Sequence, residues 1–559
     1  MKRRCALMLN HAENIKKNKT LNVGRRSNTG NFLSGVFILS FSTVIVKLVG
    51  LACKIPLISL LGAEGMGYFN SAYEIYALLC VISTAGLPVA LSMLVSAQRE
   101  RGDAYGIRRV YHVSLTIFMI FGIGGSLIML LLAHPISVMI GNPLAVSSIA
   151  AIAPALACVC FSSAVRGYFQ GFSNMLPTAI SQLIEAICKL VFGVVFAYVA
   201  LRRGADIPRA AACAVLGLTV GTLLSALYLM IIKMRDKAYY AISVKITDAH
   251  YEYYSKRTNA HILSTLLKIA LPITLGAAVL SLTRMIDMAL ILRRLGDIGA
   301  NTAKANEIYG AYTTLALPIF SLVPSLIAPI SLALVPQLSA AIENGSHDIQ
   351  SRVFFDSLRL TVLLAMPASM GITIYAYPIL SMLFSGQAEA IDISAPLLSV
   401  LGASVLFSGI ITTTNAILQS YRRTVLPIIS MTIGAVIKTV SAYILLGIRS
   451  VGIFGAPIST FLCNACITLL NLLFVLKTVP NVRGIFSIFI KAFLASIGGI
   501  GLSVAIYIPL LELTENSLLS FITALLTALL GYFAFAILVR AVTKDDISLL
   551  PLKKDKIIG

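Results

Sequence analysis

Residues 33–62 read LSGVFILSFSTVIVKLVGLACKIPLISLLG, an apolar run long enough to cross a membrane, with two lysines, Lys47 and Lys54, inside it. A helix turns about 100° per residue, so this spacing puts both ammonium groups on one face, roughly two turns apart. A charge at the bilayer centre costs on the order of 2.5 kcal/mol or more, which drives such residues to face a protein interior or a water-filled cavity. If the run enters at Leu33 and rises ~1.5 Å per residue, Lys47 lies roughly 21 Å into a ~30 Å core and Lys54 close to its far boundary. Snorkelling to a headgroup is therefore a competing reading, stronger for Lys54 than for Lys47. Pro56 favours a tilted or bent helix over a straight one.

The same kind of run recurs along nearly all of the 559 residues, which are 58% apolar and 12% charged, with a mean hydropathy of +0.90. That excludes an ordinary soluble domain and predicts an all-α polytopic membrane protein. About 14 transmembrane helices are expected, beginning with spans at 33–60 and 68–95 and ending with 486–508 and 517–540. The net charge of +21 would suggest nucleic acid in a soluble protein. Here the basic residues sit mainly in short loops and at the two ends, as expected beside anionic lipid, and no nucleic-acid partner is expected. Cys463 and Cys466, one turn apart in an apolar run with no second pair nearby, read as small packed residues and not as a metal site.

Residues 1–30 carry eight Lys or Arg with no long apolar core, which reads as a basic cytoplasmic tail. With that tail inside and the spans alternating, the cytoplasmic loops collect Arg99, Arg101, Arg166, the cluster from Lys233 to Lys268, Arg359 and Lys491. The outer loops hold far fewer, chiefly around Arg202 and Arg293. The asymmetry predicts an even span count with both termini in the cytoplasm of a multi-pass membrane protein.

The longest polar loop, 234–262, divides the first twelve spans into two sets of six. Tyr73-Glu74-Ile75-Tyr76 resembles Asn306-Glu307-Ile308-Tyr309, and Gln170, Pro177 and Lys189 recur in order as Gln419, Pro427 and Lys438. Six spans per set make corresponding helices parallel, so the sets are expected to form two six-helix lobes related by a pseudo-two-fold along the membrane normal. The expected segments are a tail (1–30), an N-terminal lobe (31–233), an inter-lobe loop (234–262), a C-terminal lobe (263–478), two additional helices (479–541) and a basic tail (542–559).

The repeat gives the charges inside the spans a setting. Arg284, in the seventh span, reaches a depth similar to that of Lys47 on the opposing lobe, and two such cations suit an anionic substrate group, especially a diphosphate. Each site has a bland counterpart. Asp287 stands three residues from Arg284, and Glu185 four from Lys189, so each would neutralise its helical neighbour. Lys438 has no such neighbour. Glu74, about one turn into the second span, is placed either to answer Lys47 or Lys54 or simply to lie at the outer interface. Glu74, Asp287, Lys438, Gln170 and Gln419 are thus candidates for cavity or coupling roles beside the diphosphate ligands Lys47, Lys54 and Arg284. No phosphate loop, metal-spaced histidine cluster or soluble ATPase segment occurs, so neither an enzyme nor a cofactor is expected.

The motifs Lys47-Leu48-Val49-Gly50, Lys54-Ile55-Pro56-Leu57, Leu61-Gly62-Ala63-Glu64-Gly65-Met66-Gly67, Gly86-Leu87-Pro88 and Arg166-Gly167-Tyr168-Phe169-Gln170-Gly171 closely resemble the stage V sporulation protein B group. That group belongs to the polysaccharide transporter branch of the multidrug/oligosaccharidyl-lipid/polysaccharide (MOP) exporter superfamily. The resemblance implies alternating access between two six-helix lobes, often with two extra C-terminal helices. It also implies a substrate such as an undecaprenyl-diphosphate-linked saccharide, with basic residues on the first helix holding the diphosphate. Membrane lipids are the other expected partners, and the coupling ion, Na+ or H+, stays open. A cation-coupled multidrug exporter of the same superfamily is the alternative. It needs unpaired membrane carboxylates, whereas the strongest candidates here, Glu185 and Asp287, have basic neighbours.

Overall fold

In a computed structural model, residue 42 and residues 45–236, 259–480, 484–514 and 517–541 are described. The two basic tails and most of the inter-lobe loop expected from the sequence lie outside these residues. Backbone polar groups inside a bilayer have no water to bond, so apolar runs of this length satisfy them within helices. The described residues contain helices and no β-strand, and 13 of the helices are long and apolar enough to cross a membrane.

The first of these spans, Ile45–Glu100, has 56 residues. Straight, it would be about 84 Å long, far beyond the ~30 Å hydrocarbon core. It is instead two elements, α1 (45–84) and α2 (Leu87–Glu100), and α1 reverses direction at Gly62. That residue has φ +69, a left-handed conformation that glycine adopts at little steric cost. Lys54 and Asn70, spaced evenly on either side of Gly62, both reach the same residue, Thr313. The expected spans 33–60 and 68–95 are thus the two passes of one helical hairpin with no loop between them, which brings the crossings to about the expected fourteen.

The first half continues through α3 (Ala104–Leu131), the short α4 (Ala133–Met139), α5 (Val146–Gly171), α6 (Leu176–Arg202) and α7 (Ile207–Met234). The second half comprises α8 (Asn259–Asp297), α9 (Thr302–Ala311), α10 (Leu317–Glu343), α11 (His347–Ile374), the short α12 (Ala376–Leu383), α13 (Ala388–Ser420), α14 (Val425–Leu446) and α15 (Gly455–Leu476). Helices α16 (Ile485–Thr514) and α17 (Ser517–Leu538) follow. Local chemistry sets several starts: proline stands in the first turn of α2, α6, α7 and α10, where its missing N–H costs nothing. Asp103 caps α3 by accepting from the Gly106 amide at 2.7 Å.

The packing of the first half recurs in the second. Helix α3 lies on α5, α5 on α7 and α6 on α7; correspondingly α11 lies on α13, α13 on α15 and α14 on α15. Helices α16 and α17 pack on each other and reach the second half through α11. The larger buried core draws on both halves, with Leu57, Met66 and Leu156 from the first and Leu292, Tyr309 and Leu398 from the second.

The axis between the halves corrects the expected repeat register. Ala63 lies against Gly310 and Gly67 against Asn306, while Asn70 bonds Thr313 at 2.9 Å. A two-fold relates these contacts only if Asn70 corresponds to Thr313, so Tyr73–Tyr76 and Asn306–Tyr309 are not spatial equivalents. The basic residues at Arg202 and Arg294, exceptions to the loop-charge pattern, have local partners: Arg202 lies over Tyr198, and Arg294 pairs with Asp297 at 3.0 Å and stacks on Tyr443.

Candidate functional site

A cavity of about 760 Å³ lies between the halves. The first pass of α1 brings Lys47 and Lys54 to it, and the second brings Tyr73 and Glu74. Helix α5 supplies Arg166, α6 supplies Glu185 and Lys189, α8 supplies Arg284 and Asp287, and α14 supplies Lys438. The lining therefore holds six cations and three carboxylates, a formal excess of three positive charges.

The pairing across this cavity differs from the expected one. Asp287 does not neutralise Arg284; it binds Lys438 on α14, the lysine expected to stand without a neighbour. Glu185 does not neutralise Lys189; it pairs with Arg166 at 3.0 Å, and Arg166 also donates to the hydroxyls of Ser181 and Ser225. Glu74 answers neither Lys47 nor Lys54 and faces Arg284 at 4.0 Å, the outer limit of an ion pair. The physical reason is common to all three. A residue three or four places along a helix shares a face, but a neighbouring helix approaches that face as closely and offers a partner in a better direction.

Three cations have no carboxylate partner among the described residues. Lys47 bonds the Ser325 hydroxyl on α10. Lys54 donates to the Thr313 carbonyl at 2.8 Å. Lys189 lies over the rings of Tyr73, at 4.6 Å, and Phe69, at 5.8 Å, an electrostatic contact that leaves its charge in place. Thr313 belongs to a π-helical turn, Tyr312–Ala316, between α9 and α10. The i→i+5 geometry widens the helix locally and turns backbone groups away from the regular ladder, which is why such turns recur at functional sites. Here the turn presents a carbonyl to Lys54.

Arg166 was missed as a site residue because Arg166-Gly167-Tyr168-Phe169-Gln170-Gly171 reads as a loop. Helix α5 runs through it to Gly171 and carries Arg166 inside. The repeat pair Lys189 and Lys438 does come to the cavity, one from each half. Gln170 and Gln419 do not; they lie at the C-terminal ends of α5 and α13, away from the lining.

Toward the Gly62 end the two halves meet where α1 crosses α9. A β-carbon on Gly67 would strike the backbone of Asn306, and one on Gly310 would strike that of Ala63, so the two helices cross at backbone contact. Beside them, Asn142 and Asn306, both fully buried, exchange amide hydrogen bonds at 2.7 and 3.1 Å, and Asn142 also donates to Ser71 at 3.0 Å.

The sequence profile of the family described as polysaccharide biosynthesis protein matches residues 32–342, and that described as MatE matches residues 304–444. Stage V sporulation protein B of Bacillus subtilis (strain 168) is 26% identical over 452 residues, covering 80% of this chain and 84% of that protein. Lipid II flippase MurJ of the same organism is 23% identical over 423 residues, covering 74% and 77%. Among solved structures, lipid II flippase MurJ in an inward closed conformation superposes with a TM-score of 0.67 at 17% identity, over 90% of this chain and 99% of that one. An inward-facing multidrug resistance MATE family transporter of the MOP superfamily superposes with a TM-score of 0.61 at 17% identity, over 79% and 100%. The all-α, multi-pass transporter fold expected from the sequence is the fold of these neighbours.

Proposed function

The chain belongs to the polysaccharide biosynthesis protein family, and from that membership we propose that it is a flippase that moves a lipid-linked, diphosphate-bearing saccharide across the cytoplasmic membrane by alternating access. The observation that carries this reading is the sign of the cavity: Lys47, Lys54 and Lys189 bring charge that no carboxylate cancels among the described residues. A diphosphate bears negative charge on both phosphoryl groups and accepts several charge-assisted hydrogen bonds. Lys47 and Lys54 from one half and Arg284 from the other hold it, with Glu74 as the group the diphosphate displaces from Arg284. The two halves then rock about the bound headgroup and reverse access. The halves meet at both ends of the cavity, where α1 crosses α9 and where Gly86 lies against the Ala270 backbone of α8, so one of these contacts parts to admit the headgroup; both termini face the cytoplasm, and α16 and α17 accommodate the lipid tail.

A multidrug exporter driven by cation exchange fits the cavity less well. Asp287 and Glu185 are held in close ion pairs with Lys438 and Arg166, which leaves Glu74, 4.0 Å from Arg284, as the one loosely held acid to trade protons or sodium against a cationic drug. Any coupling to Na+ or H+ therefore runs through Glu74 or Asp287 as their cations are drawn to the substrate.

Reconstituted vesicles test the reading. Labelled lipid II is expected to cross in the presence of the protein, while efflux of a cationic dye is not accelerated. Lys47→Ala and Arg284→Ala should abolish lipid transfer with insertion intact. Dye efflux without lipid transfer, or full transfer by the double variant, would sink it.

A further inference from the structure

Lys189 is the cation of the central cavity that a diphosphate leaves unused. Lys47, Lys54 and Arg284 carry three positive charges and Glu74 takes back one, which matches a diphosphate esterified at both ends, with one negative charge on each phosphoryl group. Arg166 is held by Glu185, and Lys438 by Asp287. Lys189 is paired with no acid among the described residues, although Glu185 stands four places before it on the same helix.

The second arm of α1 presents different faces to Lys189 and to the other half. Phe69 and Tyr73, one turn apart, lie beneath the Lys189 ammonium at 5.8 and 4.6 Å. Asn70 and Glu74, about 100° further round the same helix, reach Thr313 and Arg284 of the second half. The rings hold the ammonium without accepting a hydrogen bond from it, so its N–H donors are available to a ligand.

The surroundings of Lys189 suit a sugar. Gln182, Glu185, Ala186 and Lys189 follow the spacing of one helix face, and all line the cavity. The Gln182 amide has no partner among the described residues, which leaves a donor and an acceptor for hydroxyl groups. At the same spacing before Lys438 the second half has Met431, Gly434 and Ala435; none of these lines the cavity, and Lys438 is committed to Asp287. The polar stripe therefore belongs to the first half alone. A neutral sugar filling this space would strip water from the Lys189 ammonium and return only a neutral acceptor, whereas a carboxylate returns a charge-assisted bond.

Resting on the flippase reading above, we propose that Lys189 binds a carboxylate carried by the saccharide, so that the cargo is an acidic glycan. Vesicles holding the full-length protein are supplied with two undecaprenyl-diphosphate-linked disaccharides that differ only in the terminal sugar, glucuronate or glucose. The two transfer rates are compared as a ratio within one preparation, which the folded fraction does not affect. The wild type should favour the glucuronate lipid roughly ten-fold or more. Lys189→Gln should bring the ratio close to one, Lys189→Glu should reverse it, and Lys189→Arg, which keeps the charge, should retain it. Equal transfer of the two lipids by the wild type, or a preference that survives both Lys189→Gln and Lys189→Glu, would overturn the acidic cargo and leave the flippase reading standing. Loss of both lipids alike in Lys189→Gln would place this lysine at the diphosphate and overturn its role toward the sugar. Transfer of neither lipid by the wild type would overturn the flippase reading and the acidic cargo together.

Discussion

Lys438 and Asp287 show why single charges here are poor units of argument. Both side chains are largely buried, and removing one member of such a pair strands the other charge at a cost of about 3–5 kcal/mol, whereas replacing both with apolar groups costs far less. Lys438→Met should therefore lower the thermal midpoint of the purified protein more than Lys438→Met combined with Asp287→Leu; equal damage would mean that the two do not act as a pair. Glu74 and Arg284 make the complementary case. Their 4.0 Å separation is loose enough for an anion to compete, so Glu74→Gln should lower the lipid concentration that half-saturates transfer, and an unchanged value would remove Glu74 from the binding step. Lys47, Lys54 and Arg284 were legible in the sequence because a charge inside an apolar run is visible without any structure. Their partners were not. Spacing along one helix proposed Asp287 for Arg284 and Glu185 for Lys189, whereas Asp287 pairs with Lys438, Glu185 with Arg166, and Arg284 faces Glu74, each partner coming from another helix and leaving no periodic trace.

Helix boundaries were easier to read than what happens inside the helices. Among the described residues, each apolar run forms a helix at close to its expected place, because a bilayer allows little else. The reversal at Gly62 and the π-turn at Tyr312–Ala316 leave the apolar pattern undisturbed and so escape a reading based on it. The repeat matched four-residue words, whereas the packing aligns Gly67 with Gly310 and Asn70 with Thr313, where backbone proximity decides and side-chain similarity does not. The same close crossing supplies a test: Gly67→Val must push α1 off the Asn306 backbone. A cysteine replacing the fully buried Thr314, in a background without the native cysteines, should then react faster with an aqueous maleimide, and an unaltered rate would show that the crossing is not the seal.

Taken whole, the molecule is two similarly packed halves that meet at the Gly62 end and again where α2 and α3 meet α8, enclosing an electropositive space. If the halves must separate there for cargo to leave, tying them together should stop the cycle. Asn142→Cys with Asn306→Cys, in a background without the native cysteines and joined by a disulfide, should block lipid transfer and release it on reduction; transfer that persists through the disulfide would mean that this end never opens. The loopless turn at Gly62 carries one more implication. Lys54 and Asn70 stand on the two arms of one helical hairpin and bond the same residue on the opposite half. A headgroup that competes for Lys54 therefore acts on a residue to which both arms are tied, so cargo binding and the contact between the halves draw on one and the same place.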